Sequence, residues 1–81
     1  MEKIIQEVIT AVGGINNITE CTNCMTRLRL TLKNETNADR QKVKNISGVF
    51  GIIENDQQFQ IILGPGKAQK TADMMNSMFN F

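Results

Sequence analysis

The run Thr26-Arg27-Leu28-Arg29-Leu30-Thr31-Leu32-Lys33 carries the strongest structural signal in the chain. Leu28, Leu30 and Leu32 alternate with Arg27, Arg29, Thr31 and Lys33, the period-2 pattern of a β-strand with one buried face. Leucine is only a fair strand former, yet strict alternation over the whole run outweighs that propensity. The leucines are expected to face a core and the arginines to face open solvent.

Working upstream, Ile18–Asn23 reads as a partner strand, entered through a short turn at 15–17. Before it, Ile4, Ile5, Val8, Ile9 and Val12 recur at helical spacing, with Glu2, Lys3, Gln6 and Glu7 on the other side. Gly13-Gly14 ends that helix, because glycine reaches a left-handed C-cap conformation without steric cost. Downstream, Asn34–Asn37 is a polar loop, and Asn37 is the expected N-cap of a helix over Ala38–Asn45. Asp39 falls in its first turn, and Val43 and Ile46 turn inward. Ser47-Gly48 opens a strand at Val49–Glu54, Asn55-Asp56-Gln57 turns the chain, and Gln58–Leu63 returns. Gly64-Pro65-Gly66 breaks the chain again. From Lys67 onward Ala68, Ala72, Met75 and Phe79 form a helical stripe. The order αββαββα predicts a two-layer α/β (α+β) sandwich, a four-stranded, mainly antiparallel sheet with three helices on one face.

Composition narrows the chemistry. A chain of 81 residues with 41% hydrophobic content holds one small domain, expected over residues 1–81. Its net charge of +1 argues against a whole-surface grip on nucleic acid, and the open sheet face shows no aromatic pair for stacking RNA bases. There is no histidine, so every mechanism needing a resident imidazole is excluded, including Ser-His-Asp and Cys-His layouts. With two cysteines and no histidine, a zinc site lacks two of its four ligands. No apolar run approaches the ~18 residues that span a bilayer, and the N-terminus lacks a signal-peptide core, so the chain reads as cytosolic.

What remains is Cys24-Met25-Thr26-Arg27-Leu28-Arg29. Cys24 is expected in the turn between the first two strands, with Arg27 and Arg29 projecting from one face of the strand that leaves it. The thiolate is the reactive form of cysteine, and guanidiniums and turn amides favour it. The same donors suit a phosphoryl group, since an arginine fork matches phosphate oxygens and successive amides make an anion nest. The backbone amides of Met25 and Thr26, and the Thr26 hydroxyl, would complete the cradle. Against this stands a plain alternative, a small core cysteine beside a solvated arginine face. Cys21, three residues earlier, reads as a core residue, because no helix follows as a thioredoxin-type C-x-x-C requires. Lys67 and Lys70 read as solvated, and Met74, Met75, Met78 and Phe79 as packing. A low-molecular-weight cysteine phosphatase fits poorly, since Cys24 to Arg27 leaves two intervening residues where that loop needs five.

Cys24-Met25-Thr26-Arg27-Leu28-Arg29 resembles the C-x-T-R-L-R signature of the EIIB domain of sugar phosphotransferase systems, in the glucose, sucrose, β-glucoside and N-acetylmuramic acid superfamily. The similarity extends over nearly the whole chain, through Val12-Gly13-Gly14, Asn17-Ile18, Gly48-Val49-Phe50-Gly51 and Gln60-Ile61-Ile62-Leu63-Gly64. The resemblance implies a phosphoryl carrier. Cys24 would accept a phosphoryl group from a phosphohistidine of an EIIA domain and pass it to a sugar held by a membrane EIIC domain. Arg27 and Arg29 would stabilise the group in transfer. Thr22 and Asn23 stand where relatives often carry Asp or His, and Cys21 stands at a usually apolar position. The resemblance further implies no cofactor, a place at the cytoplasmic face of the membrane with no direct insertion, and the N-terminal position in a larger EIIBC(A) permease. Its different-class alternative is a non-catalytic regulatory or protein-interaction domain of the same fold.

Overall fold

Ile5, Val8, Ile9 and Ala11 turn one side of the first helix, α1 (Glu2–Ala11), into the core, and Val12 follows them just past its end. The structure, a computed structural model, describes residues 2–55 and 58–81, so Asp56 and Gln57 of the expected Asn55-Asp56-Gln57 turn lie outside the described residues. Gly14 N–H bonds back to Ile9 O (2.8 Å) and Gly13 N–H to Thr10 O (3.3 Å), closing the helix end. Gly13 has φ +104°, and a Cβ there would meet Asn17 Nδ2 and the Asn37 Cβ, each at 2.9 Å. Glycine is therefore required on two counts.

Four strands follow: β1 (Ile18–Cys24), β2 (Arg27–Leu32), β3 (Gly51–Asn55) and β4 (Gln58–Ile62). They form one sheet in the order β1-β2-β4-β3, and each of its three pairings is antiparallel. The α+β sandwich read from the sequence is what the chain adopts. Leu28, Leu30 and Leu32 of β2 are buried, and so are Phe59 and Ile61 of β4 beside them. The last helix, α3 (Lys67–Met78), buries Ala68, Thr71, Ala72 and Met75 and packs on β1 and β2. Phe79 lies just beyond it in extended backbone, so the expected stripe ends one residue earlier, although Phe79 N–H still reaches Met75 O (2.9 Å).

The middle helix differs from its sequence reading. It is α2 (Arg40–Lys44), capped by Asp39, whose side chain accepts from Lys42 N–H at 3.1 Å. Asn37, the expected cap, instead ends a short 3-10 turn over Glu35–Asn37 that Asn34 caps. The reason is local competition. Asn34 accepts from Thr36 N–H and hydroxyl, which closes a turn before the helix can start, and Asp39 N–H is taken by Ala11 O at 2.6 Å. Arg40 makes a two-pronged ion pair with Glu54 (2.5 and 2.6 Å) that ties α2 to β3. Strand β3 starts at Gly51 rather than Val49, with Phe50 N–H still joined to Ile62 O.

Candidate active site

The Cα register places the reactive candidates in rows across the open face. Cys24 pairs with Arg27, Arg27 with Ile62, and Ile62 with Gly51. In the next row Thr22 pairs with Arg29, Arg29 with Gln60, and Gln60 with Ile53. Directly opposed residues share a face, with Cβ atoms about 4.5–5.5 Å apart. Cys24 thus shares the arginine face as the immediate cross-strand neighbour of Arg27.

A β-bulge reconciles this with the buried start of β1. Ile18 pairs with Leu32 and Glu20 with Thr31, so Thr19 is the extra residue in β1. In a regular strand Ile18 and Cys24, six residues apart, would share a face. The bulge exchanges the faces, leaving Ile18 buried and Cys24 exposed with the arginines. Nothing in the alternation of β1 alone announces it.

Cys24 was expected in the turn, whereas it is the last residue of β1 and the turn is Met25-Thr26 alone. Two residues suffice because Met25 adopts φ +49°, the left-handed region that tight hairpins use. The Thr26 carbonyl accepts from both Leu63 N–H (2.9 Å) and Gly64 N–H (3.1 Å), which pins the hairpin tip to the end of β4. Among the described residues, neither the Met25 nor the Thr26 N–H donates to a backbone carbonyl. These are the donors an anion nest needs.

The arginines are less open to solvent than expected. β2 is flanked by β1 and β4, so the side chains on its outer face are shielded and both Arg27 and Arg29 are half-buried. Arg27 donates from Nη1 to Gln60 Oε1 (3.2 Å), while Arg29 Nε is buried with no hydrogen-bond partner among the described residues. Gln60, only 3% exposed, is the site residue that the sequence reading did not single out. Its signal was a polar residue between Phe59 and Ile61 in a strand otherwise read for its apolar side. Phe50 is a second, 79% exposed beside Gly64 and joined through its N–H to Ile62 O. With Met25, 83% exposed at the hairpin tip, it rims this end of the sheet.

Cys21 points the other way. It is buried, its Sγ lies 3.9 Å from Met75 Sδ, and burial pushes its thiol pKa up from 9.0 to about 11. The two cysteines lie on opposite faces of β1, so they form no redox pair. Lys67 and Lys70 are exposed on α3.

The profile of the family described as "phosphotransferase system, EIIB" matches residues 6–39, a span that includes Cys24, Arg27 and Arg29. A crystal structure of one domain of the PTS system IIabc component from Clostridium difficile superposes with a TM-score of 0.87 at 31% identity, covering 99% of this chain and 82% of that one. The chain belongs to the EIIB family of the phosphotransferase system. The N-acetylmuramic acid-specific EIIBC component of Aliivibrio fischeri is 60% identical over 93% of this chain. The MurNAc-GlcNAc-specific EIIBC component of Staphylococcus haemolyticus is 42% identical over 91%. This EIIB domain spans 16% and 15% of the length of those two relatives. As an EIIB domain it is a phosphotransferase component, and among its described residues no helix is long and apolar enough to cross a membrane.

Proposed function

We propose that this domain is the phosphoryl carrier of an N-acetylmuramic acid-type uptake system, with Cys24 as the phosphorylated residue. One observation carries the reading. An exposed thiol sits across from Arg27 on the face that also holds Arg29, beside a hairpin turn whose amides meet no backbone carbonyl among the described residues. In the first step Cys24 Sγ attacks the phosphorus of a phosphohistidine on an EIIA domain. The P–N bond breaks as the S–P bond forms, and the thiol's proton ends on the released imidazole. In the second, a sugar hydroxyl attacks the same phosphorus, the S–P bond breaks, and the hydroxyl's proton returns to the thiol. Phosphoryl transfer asks mainly for positioning and charge stabilisation, which two guanidiniums and turn amides supply.

An exposed edge is what a carrier serving two partners needs, and the apolar rim of Met25 and Phe50 gives each partner a surface to cover. The sugar is held elsewhere, on a membrane EIIC domain to which this domain is tethered at the cytoplasmic face. The EIIBC relatives named for N-acetylmuramic acid support that assignment, as they support a place in a longer permease. No cofactor enters either step.

The test is transfer from the loaded domain to sugar in vesicles bearing the EIIC domain. N-acetylmuramic acid should be phosphorylated in preference to sucrose, and Arg29→Lys should impair that step because lysine lacks the planar fork. Equal transfer to both sugars would remove the substrate assignment, and undiminished transfer by the lysine variant would remove the role of Arg29.

A further inference from the structure

Gln60 combines three features that do not belong to a surface glutamine. It lies on the open face of the sheet yet is 3% exposed. Its Oε1 accepts from Arg27, which is diagonal to it across β2, while the residue directly opposite is Arg29. Arg29 carries the one buried side-chain nitrogen or oxygen without a partner among the described residues. An arginine has donors only, so the pair compete for a single carbonyl. Direct opposition brings Cβ atoms to about 4.5–5.5 Å, against about 7–8 Å on the diagonal, so Gln60 reaches Arg29 more readily than the partner it now holds.

We infer that Gln60 is a positioning residue whose carbonyl passes from Arg27 to Arg29 when Cys24 takes up a phosphoryl group. In the unloaded site Gln60 holds the Arg27 guanidinium towards β4, on the far side of β2 from the strand that carries Cys24. A phosphoryl group on Cys24 brings three strong acceptor oxygens next to Arg27, which turns to them and releases the carbonyl. Gln60 Oε1 then meets Arg29 Nε, the buried donor that lacked a partner. Because the amide is neutral, both arginines keep their charge throughout. A carboxylate at this position would instead compete with the phosphoryl group for them.

This inference rests on the carrier reading, and the experiment separates the two. The ¹⁵N-labelled domain is loaded with phosphoenolpyruvate, the general phosphotransferase proteins and an EIIA domain. The Nε–H resonances of Arg27 and Arg29 are followed, with intact mass as the record of loading. On loading, Arg29 Nε–H should move downfield and exchange with water at least about tenfold more slowly, the effect of one hydrogen bond gained. Gln60→Met, which keeps the length and removes the acceptor, should load without that change. It should also lower the loading kcat about tenfold while leaving the KM for phosphorylated EIIA unchanged. Gln60→Glu should load more slowly still.

A loaded wild-type domain with an unaltered Arg29 Nε–H overturns the exchange, and this arm needs no variant to fold. A methionine variant that loads at the wild-type kcat overturns it too. If wild-type protein stays unphosphorylated, the carrier reading fails, and the positioning role falls with it.

Discussion

Replacing Arg29 by methionine should make the domain more stable while disabling it. The magnitude follows from two observations. Arg29 Nε is buried without a partner among the described residues, and a buried unsatisfied donor costs about 1–3 kcal/mol. Arg27 and Arg29 lie two strand residues apart, about 6.7 Å, where two like charges repel by about 0.6 kcal/mol even at the dielectric of water. Methionine keeps an unbranched stem for packing and removes both penalties. The expected gain is about 2 kcal/mol, seen as a urea midpoint raised by about 1–2 M at unchanged slope and a Tm raised by about 8–16 °C. Part of the gain should fall away at high salt, since a Debye length of about 8 Å at physiological ionic strength already spans the pair. The same variant should fail to hand its phosphoryl group to sugar. A midpoint equal to or below that of the wild type would mean that Arg29 is satisfied in the folded protein and held there by stability rather than by function.

Three other predictions concern the frame around the site. Asn17 is buried and bonds Val12 O, Asn34 O and Asn34 N–H at 2.8–2.9 Å, so Asn17→Ala should cost about 3 kcal/mol and lower Tm by more than about 12 °C in a thermal melt. Cys21, its thiol pushed up to about 11 by burial, should stay protonated at pH 8, so a thiol reagent should label one cysteine in the native domain and two in urea. Equal labelling of both in the native state would contradict the burial of β1's inner face. The Arg40 guanidinium holds the Glu54 carboxyl below its ordinary 4.5, so their bond stabilises the fold above that pH and is lost as pH falls through the lowered value. The Tm difference between wild type and Glu54→Gln should accordingly be present at pH 7 and shrink as the pH falls below 4.5 through the lowered value.

The fold was legible because its signals are local and redundant. The leucine alternation of β2, the glycine pair after α1 and the two hairpins each point to one architecture. The start of α2 was misread because Asn34, Asn37 and Asp39 are all competent caps, and the choice is made by Ala11 O and Thr36, which sequence spacing does not bring together. At the site, Cys24, Arg27 and Arg29 could be named from residue type and spacing. That Cys24 shares the arginine face could not, since it depends on the two-residue hairpin register that pairs Cys24 with Arg27, and that register is decided by pairing with β2 rather than by β1 alone. Gln60 was hidden for a related reason. Its importance lies in being opposite Arg29, thirty-one residues away along the chain, and only the β2–β4 register reveals that.

Where the phosphoryl group goes decides the role of Cys24. The direct measurement is intact mass after incubation with phosphoenolpyruvate, the general phosphotransferase proteins and an EIIA domain. The wild type and Cys21→Ser should each gain a single addition of about 80 Da, and Cys24→Ser should gain none. Labelling of Cys24→Ser at the wild-type rate would put the phosphoryl group on another residue and contradict the role of Cys24.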